Sequence, residues 1–422
     1  MPDTAAPATT PFQVMTKPMG PRCNLDCKYC YYLEKERFYP QEKKFRMSQD
    51  VLETYIRDYI AAQVAGGARE IWFSWQGGEP TLLGVEYFRN VVALERKYCP
   101  PGVTIQNAFQ TNATLIDDEW AAFFKQHDFL IGVSIDGPQK IHDRYRYYRN
   151  GGGSFDKVME GIRILQAHEV EMNALVVVQR ENARKPKEVY RFLKKTGFKH
   201  IQFIPIVERE TAGGQLAGPP QTDSEIEAQV SRWSVLPKDF GDFLNAVFDE
   251  WIRHDVGEIF VQFFEVQLGL WLGRPAGLCI FAEECGQALA MEHNGDLFAC
   301  DHYVYPEFKL GNIMEEKIET LAARPEQRSF GEAKRTTLPG QCQRCDFRFA
   351  CNGGCPKHRM LLTSDGEPGL NYFCGAYMRF FRHARPWMNT MAELYRHGRP
   401  LTEIMEIARR KSNRQSRRAG PR

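Results

Sequence analysis

Apolar residues alternate between strand-like and helix-like spacing through the first half of the chain. Strands are predicted at Phe12–Thr16, Ile71–Trp75, Thr104–Gln110, Leu130–Ile135, Asn173–Val178 and Ile201–Pro205. Helices are predicted between them, from Ser48 as an N-cap and at Val85–Tyr98, Asp117–Gln126, Phe155–His168 and Pro186–Thr196. This order is typical of a parallel α/β fold. Six strand–helix units are too few for a closed eight-stranded barrel, so we predict an open, partial barrel.

The pattern changes after a Gly- and Pro-rich loop at Glu210–Thr222 and a helical stretch around Phe240–His254. From about Leu278 the chain has few periodic segments and many cysteines and glycines, and such a region is held by metals more than by an apolar core. The predicted organisation is a disordered tail (1–11), a barrel (12–235), a helical connector (236–277), a cysteine-rich domain (278–380), a C-terminal helical segment (381–408) and a basic disordered tail (409–422).

Composition excludes several classes of function. The net charge of +2 over 422 residues provides no field that would attract nucleic acid or a membrane surface. No apolar run approaches the ~20 residues that span a bilayer. A disulfide framework for the twelve cysteines would need an oxidising compartment, and the N-terminus lacks a basic stretch followed by an apolar one. We therefore expect a cytoplasmic protein with reduced thiols.

Cys23, Cys27 and Cys30 form a C-x3-C-x2-C triplet directly after the first predicted strand. Three thiolates can hold three corners of a cubane iron–sulfur cluster, whereas closed structural sites take four ligands. The triplet therefore predicts a cluster with one open iron, where a cofactor or substrate can bind. A zinc knuckle that takes its fourth ligand from elsewhere is the alternative.

Eight further cysteines suit two more four-cysteine clusters. They are Cys279, Cys285, Cys300, Cys342, Cys345, Cys351, Cys355 and Cys374. Only Cys99 is left unassigned, and we expect it to be an ordinary half-buried thiol.

Polar or glycine-rich segments follow each of the first four predicted strands. The triplet follows the first, and the other three are Gln76–Pro80, Gln110–Asn112 and Ser134–Gly137. Because the chemistry of such barrels collects at the C-terminal ends of the strands, these segments are predicted to meet at one rim. Taken singly, each has an ordinary explanation: a turn at Gly77–Gly78, or a capping pair at Ser134 and Asp136.

Together these motifs resemble the radical S-adenosylmethionine (SAM) superfamily. The cysteine-rich part resembles the SPASM extension, and the combination resembles the anaerobic sulfatase-maturating enzymes from about Phe12 to Tyr395. The segments that carry this subfamily resemblance are Trp75–Thr81, Asp136–Arg146 and Cys300–His302. The resemblance implies an α/β fold: a partial (β/α)6 radical SAM barrel, a small cysteine-rich SPASM domain and C-terminal helices.

The resemblance also implies roles for individual residues. Three [4Fe-4S] clusters would be held by Cys23, Cys27 and Cys30, by Cys279, Cys285, Cys300 and Cys355, and by Cys342, Cys345, Cys351 and Cys374. Contacts to SAM would come from the backbone of Gly78, from Ser134 and Arg146 around the carboxylate and ribose, and from Tyr29 and Val207 around the adenine. Gln76 would contact the substrate peptide, and Asp301 would be the general base. Judged alone, Arg146 reads as a surface arginine, and Asp301 as a carboxylate capping a turn, with His302 either its partner or exposed.

The implied activity is the oxidation of a cysteine or serine of a sulfatase to Cα-formylglycine. Its partners would be an unfolded or nascent sulfatase polypeptide and an electron donor such as a flavodoxin or ferredoxin, with no nucleic acid and no membrane. The alternatives are another SPASM peptide-modifying enzyme, which forms thioether or carbon–carbon cross-links, and a non-enzymatic iron–sulfur or zinc-binding module.

Overall fold

A computed structural model describes residues 11–220 and 227–418 and shows a mixed α/β protein around one large sheet. Ten strands make this sheet, in the order β12-β11-β10-β1-β2-β3-β4-β5-β6-β9. They are β1 (Gln13–Lys17), β2 (Glu70–Trp75), β3 (Thr104–Thr111), β4 (Leu130–Ser134), β5 (Met172–Val178), β6 (His200–Pro205), β9 (Phe260–Val261), β10 (Ala288–Glu292), β11 (Asp296–Phe298) and β12 (Lys309–Asn312). Two small hairpins pair β7 (Arg209–Thr211) with β8 (Ala228–Val230) and β13 (Leu361–Leu362) with β14 (Pro368–Leu370).

The partial barrel predicted from the sequence is confirmed. Strands β1 to β6 pair in parallel and in chain order, as six strand–helix units require. The first strand lies one residue later than predicted, so Lys17 is its last residue. Because parallel strands end on the same side, the segments that follow β1 to β4 meet at one rim.

Fourteen α-helices lie in the described residues. They are α1 (Gln49–Ala65), α2 (Val85–Tyr98), α3 (Asp118–Gln126), α4 (Gln139–His142), α5 (Phe155–Ala167), α6 (Pro186–Thr196), α7 (Pro237–His254), α8 (Gln262–Trp271), α9 (Ile318–Ala322), α10 (Pro325–Thr336), α11 (Gly340–Gln343), α12 (Arg348–Cys351), α13 (Cys374–Arg396) and α14 (Glu403–Arg418). The Ser48 hydroxyl caps α1 by accepting from the Val51 amide at 3.3 Å, as predicted. In the part of the chain that the structure describes, no helix has both the length and the apolar character needed to cross a membrane.

The cysteine-rich part contains strands that the sequence did not predict. Strand β10 pairs in parallel with β1 from Gln13↔Ala288 to Lys17↔Glu292, and β11 and β12 extend the sheet from it. Each strand has only three to five residues, too few to show a period, but most of their side chains are buried. This part therefore shares the apolar core of the barrel and is joined to it edge to edge.

Helix α14 continues to Arg418, through ten residues that were predicted to be a disordered basic tail. Buried Ile404 and Ala408 anchor the helix, and the ammonium of Lys411 lies 4.7 Å from the centre of the Trp387 ring. The predicted tail at 1–11 falls almost wholly on residues 1–10, which lie outside the described residues, as do residues 419–422.

Candidate active site

A cavity of about 150 Å³ opens at the rim where β1 to β4 end. Its lining includes Cys23, Cys27, Cys30, Tyr29, Gln76, Gly78, Ser134 and Arg146. These are the predicted ligands of the open cluster, four of the five predicted SAM contacts and the predicted peptide contact. The structure thus brings to one place residues that lie up to 123 positions apart in sequence.

Gly78 and Glu79 clamp the cysteine loop against the barrel. The amides of Gly78 and Glu79 donate to the carbonyls of Gly20 and Arg22 at 2.8 and 2.9 Å. A Cβ on Gly78 would lie 1.8 Å from the Arg22 carbonyl oxygen, so packing against the loop already requires glycine at this position. The predicted contact of the Gly78 backbone with SAM is thus not needed to explain glycine here, because the cysteine loop already requires it.

The buried carboxylate of Glu79 fixes the ends of two strands. It accepts from the Thr111 hydroxyl at 2.8 Å and from the Asn112 amide at 2.7 Å. The Asn112 side chain reaches the thiol of Cys23 at 3.7 Å, and the Leu25 amide donates to the same sulfur at 3.4 Å. Donors aimed at a sulfur suit a thiolate that holds iron.

The three thiols of the triplet are near neighbours. Burial raises the pKa of Cys23, with Glu79, Cys30 and Cys27 adding to the rise. Burial also raises the pKa of Cys27 to about 12, although Arg146 opposes the rise. These raised pKa values favour the protonated thiols. A bound metal would favour the thiolates instead, since a coordinating thiol gives up its proton.

The eight downstream cysteines fall into two interleaved groups. Burial raises the pKa of Cys285 to about 12, and the nearby thiols of Cys355 and Cys279 add to this rise. Cys300 is likewise affected by Cys355 and Cys279. In the second group, burial raises the pKa of Cys351 to about 12, and Cys374, Cys342 and Cys345 add to it. The family resemblance implies the same grouping, whereas sequence spacing alone would join Cys342 to Cys355; the ligand sets of the two clusters stay a prediction.

The donor sets fit multi-iron clusters. Within residues 11–220 and 227–418, no three Cys, His, Asp or Glu side chains converge on the position of a single metal ion. In a cubane each thiolate binds a different iron, so the thiols need only surround a common volume. Beside the Cys279 group lies the ammonium of Lys334; burial lowers its pKa to about 8, and Cys285, Cys279 and Cys355 oppose that fall. A buried cation at this position suits a cluster held by four thiolates.

Arg146 is a buried residue, so its interpretation as a surface arginine is wrong. Its Nε lies 3.2 Å from Asp136 Oδ1, and its guanidinium lies 5.4 Å from the centre of the Tyr29 ring. The Tyr29 hydroxyl donates to the other oxygen of Asp136. Asp136 thus orients both predicted SAM contacts, and Arg146, only 7% exposed, lines the cavity.

Val207 differs from the other predicted SAM contacts. Its side chain belongs to the main apolar core, while the preceding residue, Ile206, lines the cavity beside Tyr29. A contact from Val207 to adenine stays a prediction. Sequence reasoning did not consider Ile206, because no local pattern separates the two neighbours.

Asp301 lies where the cysteine-rich part meets the cavity. Its Oδ1 lies 2.5 Å from the ammonium of Lys17, and the Tyr31 hydroxyl donates to its Oδ2. Burial raises the pKa of Asp301, but Lys17, His302 and the hydrogen bonds from Lys17 and Tyr31 outweigh it and lower the pKa to about 2. The carboxylate is therefore ionised at neutral pH and able to accept a proton.

His302 contacts a cysteine group. Its Nδ1 lies 3.5 Å from the Cys355 thiol, and its ring stands edge-on to Tyr31 with centroids 5.8 Å apart. Sequence reasoning left open whether His302 pairs with Asp301. It also missed Lys17 and Tyr31 as partners of Asp301, although Tyr31 directly follows the last cysteine of the triplet.

Comparisons with known proteins agree with this geometry. A family model described as the radical SAM superfamily matches residues 18–193, and the SPASM model, described as an iron–sulfur cluster-binding domain, matches residues 279–346. The structure of Streptococcus suis SuiB bound to precursor peptide SuiA gives a TM-score of 0.58 over 87% of this chain and 76% of that chain. At 13% identity, this likeness shows the fold alone.

More similar proteins carry a common name. The serine-type anaerobic sulfatase-maturating enzyme of Bacteroides thetaiotaomicron is 45% identical over 92% of this chain and 93% of its own. The cysteine-type enzyme of Clostridium perfringens is 31% identical over 90% and 98%. The structure of native anSMEcpe with bound AdoMet gives a TM-score of 0.77 at 30% identity, over 91% of this chain and 99% of that chain. The chain therefore belongs to the anaerobic sulfatase-maturating enzymes, a family with a radical SAM barrel and a SPASM domain.

Proposed function

We propose that this enzyme oxidises one cysteine or serine of an unfolded or nascent sulfatase polypeptide to Cα-formylglycine. The observation that carries the proposal is the Asp301 carboxylate, held between Lys17 and Tyr31 next to the cavity that the cysteine triplet lines. Related proteins named for sulfatase maturation, including one solved with AdoMet and a Kp18Cys peptide, support it.

The residues of the cavity divide into two tasks. When bound, the first cluster and SAM would supply the radical chemistry that removes a Cβ hydrogen from the target residue. Cys23, Cys27 and Cys30 would hold that cluster, and Gly78, Ser134, Arg146 and Tyr29 would bind SAM. Arg146 suits a carboxylate because its planar fork offers two donors to it.

Asp301 would carry out the second task. It would accept the thiol or hydroxyl proton of the target residue as a general base, as an ionised carboxylate can at neutral pH. Gln76 would contact the peptide. Its side-chain oxygen accepts a hydrogen bond from Lys17, whose ammonium also contacts Asp301. Cys279, Cys285, Cys300 and Cys355 would hold an auxiliary cluster, which would supply an acceptor for the second electron. A serine target then gives the aldehyde directly, whereas a cysteine target gives a thioaldehyde that water hydrolyses with loss of sulfide.

The remaining parts of the proposal concern cofactors and partners. We propose three [4Fe-4S] clusters, with Cys342, Cys345, Cys351 and Cys374 holding the third, and a flavodoxin or ferredoxin as electron donor. A cytoplasmic location is proposed as well, because thiolates stay reduced there and can hold iron.

The test uses enzyme reconstituted anaerobically with iron and sulfide. It is given SAM, a reductant and sulfatase peptides that differ only in having Cys, Ser or Ala at the target position. We expect the Cys or the Ser peptide to become an aldehyde, detected by mass spectrometry and by capture with a hydrazide, and the Ala peptide to stay unchanged. Formation of 5′-deoxyadenosine together with a thioether or carbon–carbon link, and no hydrazide-reactive product, would contradict the proposal.

A further inference from the structure

A line of polar contacts crosses the junction between the two parts of the enzyme. It runs from Tyr31 to Asp301, from Asp301 to Lys17, from Lys17 to Gln76 and from Gln76 to Gln110. These residues come from the cysteine loop, the segment after Cys300, β1, the end of β2 and β3. Lys17 is the central member, because it alone contacts both Asp301 and Gln76.

Lys17 is one of the most buried charged residues of the described chain. It is 1% exposed, and its ammonium lies 3.0 Å from Gln76 Oε1, 2.5 Å from Asp301 Oδ1 and 4.6 Å from the centre of the Tyr32 ring. Burying an ammonium is costly, and a buried ion pair adds little stability compared with apolar side chains of the same size. Stability alone therefore does not account for a lysine at the end of β1, which also lines the cavity.

We propose that Lys17 is a positioning residue that fixes the Asp301 carboxylate relative to the peptide held by Gln76. This inference rests on the proposed function. With Lys17 on Oδ1 and Tyr31 on Oδ2, the carboxylate cannot turn freely about its side-chain bonds. Each carboxylate oxygen has a second lone pair, so both contacts leave it able to accept a proton.

The consequence is a division between the two half-reactions. SAM cleavage depends on the triplet and on the side chains around Asp136. Within the described residues, the Lys17 ammonium contacts Asp301, Gln76 and Met15 and reaches the triplet only through its charge, which acts on Cys30. Completion of the oxidation depends on Asp301. Loss of Lys17 should therefore leave radical formation and lower the yield of aldehyde for each SAM cleaved.

The chain offers a matched control for a lost lysine–aspartate pair. Lys194 Nζ lies 2.5 Å from Asp255 Oδ1, the same separation as in the Lys17 pair, and it joins α6 to the end of α7 away from the cavity. Lys17→Met and Lys194→Met remove the same charge and insert the same side chain. The Lys194 side chain is 29% exposed and that of Lys17 only 2%, so Lys194→Met controls for the loss of the ion pair, and Lys17→Arg controls for the removal of a buried charge.

The experiment measures 5′-deoxyadenosine and aldehyde together in cluster-loaded enzyme with SAM, dithionite and the preferred peptide. For Lys17→Met we expect 5′-deoxyadenosine near the native rate and at least a ~10-fold lower ratio of aldehyde to 5′-deoxyadenosine, since small misplacements of catalytic groups are costly. Lys17→Arg keeps the charge but has a different reach, so its ratio should lie between those of Lys17→Met and native enzyme. Lys194→Met should keep the native ratio.

A second comparison asks whether Lys17 acts through Asp301. In an Asp301→Asn background, Lys17→Met should lower the ratio of aldehyde to 5′-deoxyadenosine little further, because the carboxylate that Lys17 positions is already absent. An equal further fall would overturn the inference, as would a native ratio in Lys17→Met. If Lys17→Met fails to load its clusters, the ratio of Lys17→Arg decides, and a native value there overturns the inference. Failure of the proposed function is a separate result, in which native enzyme makes no aldehyde from any peptide.

Discussion

Strands β1–β6 and strands β10–β12 belong to one sheet, yet the parts of the chain around them are held together differently. In the barrel, aromatic rings such as Phe73, Trp75, Phe88 and Phe109 pack against one another in a continuous apolar core. In the cysteine-rich part, buried cations hold loops through backbone carbonyls. Lys334 donates to the carbonyls of Cys279 and Ile280 at 2.7 and 3.2 Å, and Arg359 to that of Lys334 at 2.7 Å.

This difference shows where each part obtains its stability. The barrel core removes a large apolar area from water and depends on no cofactor. The buried Lys334 and Arg359 lie among cysteines, so their charges are compensated only when the thiols are ionised, as they are when they bind iron. We therefore expect the barrel, with the strands β10 to β12 that share its core, to fold before any cluster is inserted, and the cysteine-bearing loops to become ordered with their clusters.

The largest effect should come from the triplet. Replacing Cys23, Cys27 and Cys30 together by alanine should abolish 5′-deoxyadenosine formation, because the open iron is lost. Iron content should fall to about two thirds of the native value, since the other two cubanes keep their ligands. Continued formation of 5′-deoxyadenosine in the triple variant would show that SAM is cleaved elsewhere.

Loss of an auxiliary ligand should act on the cysteine-rich part and spare the barrel. Cys355→Ala should increase amide hydrogen exchange in residues 279–286, whose cysteines share its group, and Cys342→Ala should do so in residues 345–351 and at the start of α13. Strands β2 to β6 should keep native protection in both variants. The same exchange pattern in the two variants would mean that Cys342 and Cys355 bind one cluster.

The smallest effect on activity is expected in the barrel core, at Glu95, where the change is one of stability. Burial raises its pKa from the usual value to about 8, and the hydrogen bond from Asn107 offsets this only in part. The folded state then holds a proton that the unfolded state releases above about pH 4.5, so stability falls by ~1.4 kcal/mol per pH unit up to about pH 8. Glu95→Gln should remove this slope and slow amide exchange of β3 at pH 8 while leaving it unchanged near pH 5. An equal effect at both pH values would mean that ionisation of Glu95 plays no part.

The difference between the barrel and the cysteine-rich part also explains which strands and helices could be predicted from the sequence. Strands β2 to β6 and helices α2, α5 and α6 have five or more residues and a clear hydrophobic period, so their bounds were predicted within a residue or two. Strands β10 to β12 were missed because a segment such as Asp296–Phe298 is too short for any period, and its burial depends on pairing with distant β1. The ten-stranded sheet could be seen only in the structure.

Contacts between residues far apart in sequence were also missed in the active site. Motif residues such as Gly78 and Ser134 could be assigned because short-range spacing and the family resemblance mark them. Lys17 belongs to no motif, and Asp301 lies 284 positions away from it. Their contact depends on the pairing of β1 with β10, which no local pattern indicates.

The central claim is that the barrel generates the radical and the cysteine-rich part, through Asp301, completes the oxidation. Asp301→Asn tests it most directly, because the amide keeps the size of the side chain but cannot accept a proton at neutral pH. In cluster-loaded enzyme we predict 5′-deoxyadenosine near the native rate and ~10²–10⁴-fold less aldehyde. Aldehyde formed at the native rate, with all clusters intact, would contradict the claim.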